Sequence, residues 1–139
     1  MASTGSSTSA DVGRLILRLA LGVLILMHGI DKVMSGPAGL VGLVEKSGLP
    51  GFVAYGVYVG EVIAPLMLIA GWWTRLAALV VAVNMVVAVA LVHMDDLLAL
   101  TNNGGWALEL QAMYLFTALA VALLGAGRFS VGGARGRFN

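Results

Sequence analysis

Residues 76–94 read LAALVVAVNMVVAVALVHM, and Asn84 is the only strongly polar side chain before His93. Crossing about 30 Å of hydrocarbon takes about 20 helical residues, and this run has that length and almost no polar interruption. Its surroundings point the same way. Of the 139 residues, 60% are hydrophobic and 11% charged, and the mean hydropathy is +0.97. A chain this short can bury one modest core, and it carries far more apolar surface than such a core uses. Lipid is the second solvent.

Three further windows qualify as spans: Leu15–Met34, Phe52–Trp73 and Trp106–Gly125, each carrying a charge. The expected fold is therefore all-α, a polytopic membrane protein built as a four-transmembrane-helix bundle. Residues 1–13 read as a flexible N-terminal tail, 14–130 as the four-helix membrane domain and 131–139 as a cytoplasmic C-terminal tail. The first apolar run is too long for the core of a cleaved signal peptide, and no small-x-small site follows closely. There is no second domain and no convincing internal repeat.

Arg14, Arg75, Arg128, Arg135 and Arg137 all fall on one side of such a bundle, against Lys32 and Lys46 on the other. The excess of Arg and Lys places both termini in the cytoplasm, as expected of a multi-pass protein of a bacterial-type cell (inner) membrane. The net charge of +1, with no basic stripe interleaved with aromatics, gives no case for nucleic acid. The absence of cysteine removes disulfides, Cys-ligated zinc, iron–sulfur clusters and thiol–quinone exchange within the chain. Outside the membrane, Ser35–Gly51 is rich in Gly and Pro and is expected to be irregular. Asp95–Gly105 is the second long outer loop.

Charges inside a span cost about 2.5–3.5 kcal/mol at its centre, so they face a partner or a cavity. Glu61 sits mid-span, and Pro65 follows four residues later. Because proline has no N–H, the Glu61 carbonyl loses its usual helical donor, so one residue offers a carboxyl group and a free backbone acceptor. Arg18, about one turn inside the first span, is the natural cation for it. Two readings are open: a buried Arg18–Glu61 pair that sets helix register, or a proton-accepting or ligand-binding carboxyl.

His28, His93 and Glu109 fall at comparable depth near the outer ends of three helices, with Trp106 at the interface. Their meeting would form an outward pocket with Glu61 beneath it, able to hold a metal or to hydrogen-bond both carbonyls of a quinone headgroup. The plainer reading makes each histidine an interfacial residue bonded to a loop carbonyl; no local metal motif is present. Asn84 and His93 lie nine residues apart, on opposite faces of a regular helix, so one of them is expected to face a partner subunit unless the helix kinks. Gly56, Gly60 and Ala64 form a ridge suited to close helix packing, within the bundle or in a dimer. Trp72, Trp73 and Trp106 suit interfacial anchoring.

Taken together, the run Leu17-Arg18-Leu19-Ala20-Leu21-Gly22, then His28-Gly29 and Lys32, resembles the opening of DoxX-family membrane proteins. Gly60-Glu61, Gly71, Thr74-Arg75-Leu76, His93, Gly105-Trp106 with Glu109, and Gly125-Ala126-Gly127-Arg128-Phe129-Ser130 extend the resemblance over roughly Arg14 to Ser130. In the fourth span the carboxylate, Glu109, stands further from the tryptophan than the family pattern suggests. The resemblance implies a four-helix membrane bundle associated with membrane oxidoreductase systems, including quinone-linked ones, and singles out Arg18, His28, Lys32, Glu61, Arg75, His93 and Glu109.

The expected function is a membrane subunit of an oxidoreductase complex. His28, His93, Glu109 and Trp106 would bind quinone, and Glu61 with Arg18 would move or balance protons. No haem, flavin or iron–sulfur cluster is expected in the chain, so electrons would come from other membrane or peripheral subunits. The rival is a non-catalytic anchor or assembly subunit of a membrane complex, with a homo-oligomer as one form of it. A small-solute or metal transporter is the third reading, and the lack of an inverted repeat weighs against it.

Overall fold

The computed structural model describes residues 6–139. Five helices account for the architecture, and the described residues contain no strand beyond one isolated bridge between Leu100 and Trp106. Helix α1 runs from Thr8 to Ser35, capped by the Ser7 hydroxyl, which accepts from the Ala10 N–H at 3.2 Å. It opens inside the stretch read as a tail; residues 1–5 of that stretch lie outside the described residues. Gly36, with φ 78°, ends it.

A short helix α2 follows over Ala38–Lys46, where the glycines and proline suggested an irregular loop. Its Leu, Val, Glu and Lys residues are adequate helix formers, and burial of Val44 pins it to the bundle. Helix α3, Gly51–Ala70, is composite. It opens as a 3-10 turn over Gly51–Tyr55, passes through a π turn at Val59–Ile63 and closes as α-helix over Ala64–Ala70. Gly71, at φ 72°, takes the left-handed position that ends it. Helix α4 spans Thr74–Val92, and α5 spans Glu109–Leu124.

Helices α1, α3, α4 and α5 pack around one core of Leu21, Ile25, Ala64, Leu68, Val81 and Val121, with Ala77, Ala78, Ala82 and Ala118 between them. Alanine at these positions lets the helix backbones approach closely. Helices α3 and α4 are each long and apolar enough to cross a membrane. The surface facing away from the core is also apolar: Ile16, Met27, Leu66, Val83, Phe116 and Leu123 all stand exposed. On α3 and α4, the two helices long and apolar enough to cross a membrane, such an exposed apolar surface is a face for lipid.

Glycine makes two of the helix contacts. A side-chain carbon at Gly29 would overlap the carbonyl of Glu61, and one at Gly60 would lie 2.6 Å from the Asn84 side chain. In the Gly56, Gly60 and Ala64 ridge, Gly60 and Ala64 are buried within the bundle, whereas the space beside Gly56 is open. Gly29→Ala is therefore expected to destabilise the protein by about 2 kcal/mol through forced separation of α1 and α3. Gly56→Ala is expected to stabilise it by about 0.5 kcal/mol, because alanine loses less backbone entropy in a helix. Denaturation midpoints in detergent micelles check the opposite signs.

Candidate functional site

Pro65 shapes the middle of α3. With no N–H there to serve the Glu61 carbonyl, the helix widens, and the Ala64 N–H reaches back five residues to the Val59 oxygen. The freed Glu61 carbonyl lies against Gly29 of α1. This close seating carries the Glu61 side chain into the bundle. One carboxylate oxygen, Oε2, accepts from Lys32 Nζ, and the other, Oε1, accepts from Asn84 Nδ2 at 3.1 Å. The Tyr58 hydroxyl donates to the Lys32 carbonyl at 3.3 Å and ties the last turn of α1 to α3.

The expected Arg18–Glu61 pair does not form. Arg18 lies 14 residues before Lys32 on α1, about 21 Å along a helix. Its guanidinium serves the far end of α3 instead. Nη1 donates to the Leu68 and Ile69 carbonyls at 2.7 Å each, and Nη2 to the Phe129 carbonyl at 2.6 Å. The last carbonyls of a helix have no intrahelical donor, and a buried guanidinium with its fork of N–H groups supplies them. Arg75 does the same for α5, donating from Nη1 to Ala122 and Leu123 at 2.9 and 2.8 Å.

The two histidines meet the Glu61 region from different helices. His93 follows the last residue of α4 and has left the helical conformation, with φ −122° and ψ 18°. The opposite-faces geometry of a regular helix therefore does not bind it, and both Asn84 and His93 turn inward. His93 Nδ1 lies 3.0 Å from Asp96 Oδ2, an arrangement that places the proton on Nδ1 and leaves Nε2 as acceptor. Gln111 Nε2 then donates to that nitrogen at 3.4 Å. Gln111 Oε1 is left buried without a partner. On α1, His28 Nε2 lies 3.5 Å from the Tyr114 hydroxyl, with the two rings edge to face at 6.0 Å.

These side chains surround one cavity of about 170 Å³, lined by His28, Lys32, Glu61, His93, Gln111 and Tyr114 with Ile25, Met85, Ala88 and Leu110. It is small beside the roughly 300–1,000 Å³ that encloses a drug-sized ligand, and it has room for a ring rather than a whole lipid. Glu109 stands apart. It is the first residue of α5, its carboxyl lies over Gly105, and it does not line the cavity. Trp106 does not line the cavity but a neighbouring apolar recess with Val86, Leu97 and Phe116, which shares Met85 and Gln111 with it, and its indole N–H donates to the Leu97 carbonyl at 2.9 Å. Among the described residues no three His, Asp or Glu side chains gather as a metal site.

Sequence reading did not single out Gln111 and Tyr114. Their signal was present: between Glu109 and Thr117 they alone carry hydrogen-bonding side chains, three residues apart on one helix face.

At the opposite end of α1, ahead of the apolar run, Asp11 is buried and bonded to Ser6 at 3.0 Å and to Arg14 at 2.9 Å, with Arg128 at 3.6 Å. Burial works to raise its carboxyl, but the hydrogen bonds from Ser6 and Arg14 and the arginine charge outweigh it and hold the group below its ordinary value of 3.8. A carboxyl lowered by folding contributes stability above its unfolded pKa and loses it as pH falls through the folded one. The stability difference between the parent protein and Asp11→Asn is thus expected to be constant from pH 7 to about pH 5 and to shrink below about pH 4. Parallel unfolding curves across that range check it.

Comparison with known proteins adds three findings. The DoxX family model matches residues 13–94. The chain is 27% identical over 117 residues to the Bacillus subtilis (strain 168) protein named "Putative oxidoreductase CatD", covering 84% of this chain and 82% of that one. It is 30% identical over 114 residues to an uncharacterized protein of Haemophilus influenzae, covering 80% and 81%. No solved structure matches the chain.

Proposed function

Because the chain belongs to the DoxX family, we propose that it is the quinone-interacting membrane subunit of an oxidoreductase system. In this reading α1, α3, α4 and α5 all span the cell (inner) membrane, with both termini in the cytoplasm and the His93 end facing outward. The name of the Bacillus relative supports the redox assignment. The observation that carries the quinone assignment is the cavity itself: a ring-sized space with hydrogen-bonding groups of four helices around it and apolar walls.

The donor set fits such a headgroup. Lys32 Nζ and the Tyr114 hydroxyl can donate to carbonyl oxygens, and the unpartnered Oε1 of Gln111 can accept from the hydroxyl of the reduced ring. When bound, a quinone supplies electron- and proton-carrying chemistry that no side chain here can supply. The chain's own part is to hold the ring and handle its protons. Glu61 would take up a proton released by the reduced ring, and Lys32 balances the carboxylate charge whenever that proton has left. His28 and His93 orient the ring edge. Arg18, far from the cavity, acts by fixing the end of α3. Electrons arrive from a partner subunit.

The test is quinone content and affinity of the protein purified in lipid nanodiscs. Glu61→Gln and His28→Ala are each expected to weaken binding about tenfold, equivalent to about 1.4 kcal/mol and within the range of one lost hydrogen bond. If the parent protein holds no quinone, or if both variants bind like the parent, the quinone assignment fails. The role that then stands is an anchor or assembly subunit, in a complex with other subunits or with copies of itself, in which Glu61→Gln lowers the amount of assembled complex and not its turnover.

A further inference from the structure

Four helix seams surround the cavity, and they are not closed alike. Between α1 and α3, Gly29 seats against the Glu61 carbonyl and Lys32 reaches the carboxylate. Between α3 and α4, Gly60 seats against Asn84. Between α4 and α5, Gln111 reaches His93 at 3.4 Å beside Met85 and Ala88, and Met85 and Gln111 also border the Trp106 recess. Between α1 and α5, the hydrogen-bonding link at this level is Tyr114 to His28, at 3.5 Å the outer limit of a hydrogen bond. Deeper in the bundle the same seam is shut by Leu21, Ile25, Ala118 and Val121. Around the His28–Tyr114 contact, Leu24 and Met27 of α1 and Leu110 and Met113 of α5 are exposed.

From this we infer that the α1–α5 seam is the lateral entrance of the cavity, and that its ligand is an amphiphile. The polar ring lies among Lys32, Glu61 and Gln111, and a hydrocarbon tail passes out between His28 and Tyr114 into the bilayer. The inference rests on the quinone reading and narrows it to tailed, membrane-dissolved quinones. A tail leaving instead by the polar end would run past His93 and the Asp96 carboxylate bonded to it. Every methylene held there in water would cost about 0.8 kcal/mol. Through the seam it passes between the two rings and then meets Leu, Met and lipid. His28 and Tyr114 are then the gate as well as part of the wall, and a rotamer change of either ring opens it.

The test uses the unaltered protein in lipid nanodiscs with two probes: a benzoquinone bearing a decyl tail tipped with a diazirine, and the same ring without a tail. Photolysis is expected to label Leu24, Met27, Leu110 or Met113, and excess tail-less ring should abolish the labelling. Competed labelling in the apolar groove of Val57 and Val83, or on residues 95–105, overturns the entrance while the quinone reading stands. Labelling that the tail-less ring does not compete at any position overturns both.

Discussion

Arg18→Leu is expected to abolish accumulation of folded protein. The guanidinium is 1% exposed and satisfies three backbone carbonyls, those of Leu68, Ile69 and Phe129. Leucine fills part of the volume and donates nothing. Each carbonyl left without a donor away from water costs about 1–3 kcal/mol. Three together reach about 3–9 kcal/mol, comparable with the whole 5–15 kcal/mol by which a typical domain is stable. Arg18→Lys should recover less than half of the loss. A single ammonium cannot serve the α3 end and Phe129 together, as the planar fork does. Folded yield after membrane extraction, read by size-exclusion profile and protease resistance, checks both variants. Normal yield from Arg18→Leu would mean that these carbonyls find other donors and that the arginine is not the clamp described.

Lys32→Met is expected to destabilise the protein by about 3 kcal/mol, the low end of the range for removing one partner of a buried ion pair. The low end applies because the Lys32 side chain keeps 31% of its surface exposed while Glu61 keeps 5%. The carboxylate is left with Asn84 as its only side-chain donor. Adding Glu61→Gln to Lys32→Met should restore most of the loss, since the amide needs no counter-charge and can still accept from Asn84. That rescue separates an uncompensated charge from a simple packing defect, for which the second substitution would add to the damage. Unfolding midpoints of the parent, the two single variants and the double variant complete the cycle.

The long helices were legible in the sequence because lipid demands runs of apolar residues and leaves little freedom in where they lie. Residues 76–94 needed nothing beyond their composition. The partners of the charges were harder to read. Glu61 was visible as a misfit, but two cations lay within helical reach of the bundle, and the deeper-seeming Arg18 looked the better match. Only the seating of Gly29 on the Glu61 carbonyl sets the register in which Lys32, and not Arg18, lies alongside. Arg18's true partners are backbone oxygens, which every residue carries and which therefore leave no mark in a sequence. His93 was misjudged as a helical residue, although the two aspartates after it were fair warning that α4 stops there. Glu109 was placed one turn too deep because Trp106 and Ala107 were counted into the span, whereas they belong to a segment, 99–107, that folds back on itself by the bonds Ala107 N–H to Ala99 O and Thr101 N–H to Gly105 O.

The π turn at Val59–Ile63 makes α3 two helices joined out of phase. A π turn holds one residue more than the α turn it replaces, so the segment before it is rotated by about 100° relative to an unbroken α-helix. Insertions and deletions are for this reason unequal along α3. Losing one residue inside the turn would take out the extra residue, swing Tyr58 away from Lys32, and leave the end held by Arg18 untouched. Losing one between Ala64 and Ala70 would instead slide the carbonyls from under the guanidinium. The same single-residue change would thus re-aim the site in the first case and unseat the fold in the second.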